Sequence, residues 1–272
     1  MTIEVEHFQE SFGADTLADW LCPTCSRGRL ILDKDSLDKR ATASARQMGP
    51  DDYDPDLDTL SFSARLTCNL PACNESVFCI GDTAGTVEWD DEFGDHAYIQ
   101  VLRPKYLHPS PIVFVPPSKT PREVKAAISL ASSLLWASTG AACNALRTSL
   151  ELIMDDMKIP KQAFNKRKEL YDLKVHARVQ ELGRKHSQIS ALLMAAKLVG
   201  NEGSHEGDVG RSDALDAFAF VDHVVTYLYD DSMRTVRAQA KQRIHAEQLA
   251  KKAAKKAAKN AAVPNSKSKL KK

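Results

Sequence analysis

The chain has 272 residues, 43% of them hydrophobic, with 12 glycines, 12 prolines and six cysteines. That length suits one large domain or two modest ones, with enough apolar residues for true cores. Every apolar stretch is broken well before the roughly 18 residues a membrane span needs, and the formal net charge is +1.

Residues 1–20 are a short acidic lead-in. Met1–Glu10 carries Glu4, Glu6 and Glu10 and no basic residue except His7. This argues against a secretory leader and for the cytoplasm, where thiols stay reduced.

Residues 21–103 hold five of the six cysteines and read as strands. From Asp58 to Cys68 the apolar residues Leu60, Phe62, Ala64 and Leu66 alternate with Thr59, Ser61, Ser63, Arg65 and Thr67, the pattern of a half-buried strand. Val77–Ile80, Thr86–Trp89 and Tyr98–Leu102 are further strands, with Gly81-Asp82 and Gly85 expected to turn the chain between them. Gly49–Asp56 reads as an acidic loop.

The cysteines come in close pairs. Cys22-Pro23-Thr24-Cys25 is one, and Cys68-Asn69-Leu70-Pro71-Ala72-Cys73 is the other. Two such pairs, each giving two thiolates from one turn, assemble a tetrahedral zinc site when strands bring the turns together. The expectation is a structural zinc ion on Cys22, Cys25, Cys68 and Cys73. Alternatives are Cys79 in place of Cys73, a redox pair at Cys22/Cys25, or unliganded buried thiols. Cys143 reads as a small core residue.

Residues 104–121 are rich in proline: Pro104, Pro109, Pro111, Pro116, Pro117 and Pro121. Each lacks an amide donor and biases its predecessor to extended backbone, so this segment reads as a connector between domains.

Beyond it the period becomes helical. Thr120 is placed to cap a helix that has Pro121 first and Glu123 closing a capping box. Val124, Ala127, Ile128, Ala131, Leu134 and Leu135 form its stripe. A second helix carries Leu146, Leu150, Ile153, Met154 and Met157 and stops before Pro160. A third, polar helix is expected within Lys166–Arg184. A fourth spans about Ile189–Val199 and ends at Gly200. A fifth starts at Ser212, has Asp213 and Asp216 in its first turn, and buries Leu215, Phe218, Val221, Val225 and Leu228. It is expected to run on into the tail.

The fold class is therefore α+β and multidomain. A zinc-ribbon β domain (1–103) and a connector (104–121) precede a helical bundle (122–233) and a basic Ala/Lys-rich tail (234–272). Charge is segregated to match. Residues 234–272 hold 13 Lys/Arg and one acid, Glu247, whereas the first 233 hold 24 Lys/Arg against 35 Asp/Glu. Lys251, Lys252, Lys255, Lys256 and Lys259 are the candidate nucleic-acid contacts. They would bind phosphates in a salt-dependent way and, with no aromatic among them, without base reading. The tail lacks an apolar face for a membrane. A solvated terminus folded back onto the acidic body is the alternative.

Between the fourth and fifth helices lies Lys197–Gly207. A histidine beside an amide, a hydroxyl and a lysine suits acid–base chemistry. Equally, Gly200 would end the helix, Asn201 cap a turn, and His205 be a satisfied polar group.

The stretch from about Arg103 to Tyr229 resembles the bacterial domain of unknown function numbered 4145. The likeness rests on Arg103-Pro104 with Pro109 and Pro111, Arg122-Glu123-Val124, Trp136, Asn144-Ala145-Leu146-Arg147 with Leu150-Glu151, and Gly200–His205. The resemblance implies a companion zinc ribbon and association with restriction and phage-defence enzymes. That family in turn resembles the HEPN superfamily of helical bundles. Many HEPN proteins are metal-independent ribonucleases that dimerise and carry Arg, a polar residue, three more, then His. In them the histidine handles the 2′-hydroxyl proton and the arginine stabilises the phosphorane. By this resemblance Asn201 and His205 take the polar and histidine positions, but Gly200 stands where the arginine belongs. Lys197 or Arg147 would have to supply the charge, and lysine lacks arginine's bidentate fork. Glu151 would hydrogen-bond Asn201 or His205.

The function expected is a defence-associated, nucleic-acid-interacting module, non-catalytic or weakly catalytic and dimeric through its HEPN-like bundle, with no small-molecule cofactor. The alternatives are a metal-independent RNA endonuclease and a protein adaptor with a structural His205.

Overall fold

A computed structural model describes residues 8, 11–13, 20–47, 60–90, 94–205, 209–231, 235–236 and 238–249, with the side chains at 88–90, 97–98 and 201–205 excepted. The acidic loop at 49–56 and the lysines Lys251, Lys252, Lys255, Lys256 and Lys259 lie outside the described residues.

The first half is an antiparallel meander of four strands, β1 (Leu30–Ala41), β2 (Leu60–Cys68), β3 (Ser76–Asp90) and β4 (Asp95–His108), paired in that order. A short helix, α1 (Ala43–Gln47), follows β1. The alternation in β2 is realised: Phe62, Ala64, Leu66 and Cys68 are buried, while Ser61, Ser63 and Arg65 are exposed. Two expected turns are absent. Gly81 and Gly85 lie within the single long strand β3, where Gly85 pairs with Gln100 in the ladder. Gly81 sits at a register shift, and a Cβ there would overlap the Arg103 carbonyl. Its role is close backbone approach, a common use of glycine inside strands. β4 also continues through Pro104 to His108, after which the His108–Pro109 peptide is cis.

The second half is helical, so the chain is α+β. Its elements are α2 (Arg122–Leu134), α3 (Thr139–Asp156), a hairpin of β5 (Gln162–Phe164) and β6 (Leu170–Asp172), α4 (Val175–Lys185), α5 (Ser190–His205) and α6 (Arg211–Tyr229). The expected stripes form the core: Val124, Ile128, Ala131 and Leu135 pack with Leu146, Leu150, Ile153 and Met154, and with Leu215, Phe218, Val221, Val225 and Leu228. Cys143 is fully buried among them.

Four boundaries differ from expectation. Thr120 does not cap α2; Pro121 takes the N-cap position, and the Thr120 hydroxyl is buried without a hydrogen-bond partner. The polar segment after Lys158 begins as the β5–β6 hairpin, not as helix. Asn165 organises its tip: the side-chain oxygen accepts from the Arg167 and Glu169 amides, and the side-chain amide donates to Glu169. Gly200 does not end α5, which runs on to His205. Finally, α6 stops at Asp230, whose extended backbone (φ −86°, ψ 114°) separates it from the helical residues of the tail.

Aromatic rings join the two halves. Trp136, in the turn between α2 and α3, meets Trp20 at a centroid distance of 4.8 Å and Phe8 at 6.2 Å. Phe12 packs edge-on against Trp20 at 5.0 Å and bonds through its backbone to Leu102 of β4.

Candidate metal centre

The cysteine pairs sit on two turns that the sheet register brings face to face. The first is closed by Cys22 N–H donating to the Gly28 carbonyl and Leu30 N–H to that of Trp20, and Ser26 after the second cysteine has a positive φ of 51°. The second is closed by Cys68 N–H donating to the Glu75 carbonyl and Cys73 N–H to that of Leu70; here Asn74 after the second cysteine has φ 47°. Leu30 is the register partner of Cys68. The turns are also stitched directly, because Arg29 N–H donates to Asn69 Oδ1 and Asn69 N–H to the Arg29 carbonyl, both at 2.9 Å.

As a result the four sulfurs of Cys22, Cys25, Cys68 and Cys73 all lie within 4.8 Å of one another. Cys22 Sγ is 3.7 Å from Cys73 Sγ, and Cys25 Sγ is 3.8 Å from Cys68 Sγ. A tetrahedral ion with bonds of about 2.3 Å to sulfur holds its ligands about 3.8 Å apart. None of the four is in a disulfide.

The electrostatics are those of a crowded thiol set. Backbone amides of Gly28 and Arg27 pull the Cys25 thiol down to about 6. The Cys73 thiol feels the lowering pull of the Glu75 amide, yet burial and the neighbouring sulfurs push it up to about 12. Burial also raises Cys68. One sulfur ionises readily and its neighbours then resist, and a divalent cation is what relieves such crowding. Cys79 stands apart: it is buried on β3 opposite Ala64, its thiol is pushed up to about 12 by burial, and it is outside the four-sulfur group.

The second constellation lies where α5 crosses α3. Gly200, in the middle of a contact, has its α-carbon against α3: a Cβ there would lie 2.9 Å from Arg147 Cβ and 3.2 Å from the Cys143 carbonyl oxygen. Arg147 therefore lies across the position that lacks the expected arginine. It pairs with Glu151 at 3.7 Å, and its Nε is buried without a hydrogen-bond partner. Lys197 is half-buried one turn before position 201. Asn201 and His205 are helical and one turn apart, not in a glycine-rich loop, and their side chains lie outside the described residues.

The helical half matches a known family model. Residues 129–260 match a domain of unknown function, DUF4145. This supports the resemblance drawn from the sequence but begins inside α2, so Arg103, Pro104 and Arg122–Val124 fall outside the DUF4145 match. Residues 10–107 match a second domain of unknown function, DUF8608, a span that contains all four clustered cysteines and most of the sheet. No curated protein and no solved structure matches the chain.

Sequence reasoning nominated these four cysteines by spacing, with Cys79 left open in place of Cys73, and the sulfur geometry groups Cys73 with the other three. It missed Gly28, which has no motif signal and matters only because of what stands opposite it. It also missed a cluster of three cations beside Trp136, which come from two distant segments, β4 and the start of α6.

Proposed function

We propose that the chain is a zinc-stapled binding module: Cys22, Cys25, Cys68 and Cys73 hold one structural zinc ion, and the basic C-terminal segment contacts nucleic acid. The observation that carries the first part is the cross-pair sulfur spacing of 3.7 and 3.8 Å. Four thiolates fill a tetrahedron and leave no open position for substrate, so the ion's work is to fix the two turns. Purified protein should carry one zinc per chain by elemental analysis, and Cys25→Ser should lose it. Metal-free protein with unchanged thermal stability would sink this part.

The second part rests on charge. Residues 234–272 concentrate 13 Lys/Arg against one acid, whereas the first 233 residues hold 24 Lys/Arg against 35 Asp/Glu. The described residues from 238 to 249 are helical and exposed, and so offer Lys241 and Arg243 to a partner. The β5–β6 hairpin adds Lys166, Arg167 and Lys168 on a tip rigidified by Asn165, beside the exposed rings of Phe164 and Tyr171. Cations beside aromatics suit a single strand. Fluorescence anisotropy with single-stranded RNA and DNA should show binding that weakens steeply with salt, by about a thousandfold between 50 and 200 mM if roughly six phosphates are neutralised. Deleting residues 250–272 should remove most of it. Absence of binding at low salt would leave the protein-adaptor reading.

One observation favours a second reading, that of an RNA endonuclease. Arg147 lies across Gly200, so its guanidinium is a candidate for the charge that the helix itself lacks. RNA cleavage that both Arg147→Ala and His205→Ala abolish would establish it; no cleavage by the wild type would end it.

A further inference from the structure

We propose that a cleft between β4 and the start of α3 binds a phosphate group of a nucleotide-sized ligand. This goes beyond the reading above, because the cleft is a separate feature of β4, the α2–α3 turn and the start of α6 and does not involve the tail. Its volume is about 300 Å³, and its walls include Arg103, Lys105, Trp136, Ser138, Thr139 and Arg211. Three cations and no acid line it.

Each wall is placed by a distinct structural device. Arg103 and Lys105 both come from β4, where Ile80 pairs with Tyr106 and Gly81 with Pro104. Lys105 is thus the extra residue of a β-bulge, a feature that re-aims side chains at sites. Asp82, the strand partner of Arg103, makes no ion pair with it and does not line the cleft. Arg211, at the start of α6, has its guanidinium carbon 5.1 Å from the centroid of the Trp136 ring, a cation–π contact that fixes its position.

The floor completes the donor set. The 18-residue α3 begins here, with Ser138 as its N-cap accepting from the Ala141 amide at 3.2 Å. The positive end of a helix attracts oxyanions. Independently of the helix, Trp136 is only 3% exposed and its indole N–H has no acceptor among the described residues. That nitrogen is itself shut off from solvent, so the indole serves the cleft as an apolar wall and as the platform on which Arg211 rests. The volume is at the small end of ligand sites. A terminal phosphate monoester therefore fits, on a mononucleotide or at the end of a strand whose remainder lies outside the cleft.

The phosphate can belong to a free nucleotide or to the 5′ end of a nucleic acid, and titration separates them. Full-length protein is titrated calorimetrically with inorganic phosphate, with AMP, and with short RNA bearing either a 5′-phosphate or a 5′-hydroxyl. Arg103 and Lys105 are exposed, so Arg103→Gln/Lys105→Gln should fold normally, which circular dichroism checks. We expect AMP to bind the wild type and the double variant to bind it about tenfold or more weakly, since two charge-assisted contacts are removed. In protein lacking residues 250–272, preference for the 5′-phosphorylated RNA over both its 5′-hydroxyl counterpart and AMP would name a nucleic-acid end as the source, and preference for AMP would name a free nucleotide. Protein lacking residues 250–272 should bind AMP as the wild type does, which separates this site from the tail's. Failure of every phosphate ligand to bind, or equal binding by the folded double variant, overturns the proposal.

Discussion

A methyl group on Gly28 would overlap the Cys68 sulfur and stand 3.0 Å from Asn69 Oδ1. Neither can yield easily, since the sulfur belongs to the four-cysteine group and the Asn69 oxygen accepts the Arg29 amide. Gly28→Ala is therefore expected to separate the two turns and to lower zinc content well below that of the wild type, by elemental analysis and by competition with a chelating dye. Cys79→Ser is the matching control. It leaves all four clustered sulfurs in place, so zinc content should stay at the wild-type level, while burial of a hydroxyl at a 3% exposed position costs about 1–3 kcal/mol of stability. Equal zinc loss in both variants would mean that the wrong four sulfurs have been chosen. The spacing of cysteines shows which residues are candidates, but it does not distinguish Cys73 from Cys79. That distinction comes from the turn at Leu70–Asn74, which folds Cys73 back toward Cys22.

Among the helices and strands, Gly200 and Arg178 show how neighbours override local signals. Glycine after a helical stripe ordinarily marks its end, yet α5 continues because α3 passes so close that only glycine fits. Gly200→Ala would gain about 1 kcal/mol of helix propensity but meets the Arg147 Cβ and a backbone carbonyl, both rigid. Overpacking of this kind costs about 1–3 kcal/mol, so net destabilisation by chemical denaturation is expected. Arg178, 5% exposed on α4, anchors the base of the hairpin: it donates to Asp155 at 2.6 Å and to the carbonyls of Ile159 and Pro160. Burial alone would raise the Asp155 carboxyl, but hydrogen bonds from Lys161 and Arg178 outweigh it and hold the group below its usual range. A carboxyl depressed on folding adds stability above its unfolded value of about 3.9. That contribution disappears as pH falls through the lower folded value. Asp155→Asn should accordingly weaken the fold at neutral pH and flatten the acid limb of a stability–pH curve; an unchanged curve would contradict this.

For the molecule as a whole, the sheet and the helices share one aromatic joint. Trp136 touches Trp20 and Phe8 from the first half and Arg211 from α6. Trp136→Ala should cost about 3–5 kcal/mol, as expected for a buried tryptophan, and should loosen the coupling between halves. Calorimetry would then show two transitions in place of one; a single transition at the wild-type temperature would refute the joint's importance. None of the described helices is long and apolar enough to cross a membrane.

The amino-acid sequence by itself determined what depends on near neighbours: the alternation that makes β2, the apolar stripes of α2, α3 and α6, the paired cysteines, and the separation of an acidic body from a basic tail. Only the tertiary structure decided which cysteine completes the group of four, why Gly28, Gly81 and Gly200 are glycines, and that Arg103, Lys105 and Arg211 face one cleft. The reason is physical. Periodicity is a property of a chain a few residues long, whereas a close approach or a shared cavity depends on the register of a sheet and the crossing of helices, which bring together residues more than a hundred positions apart.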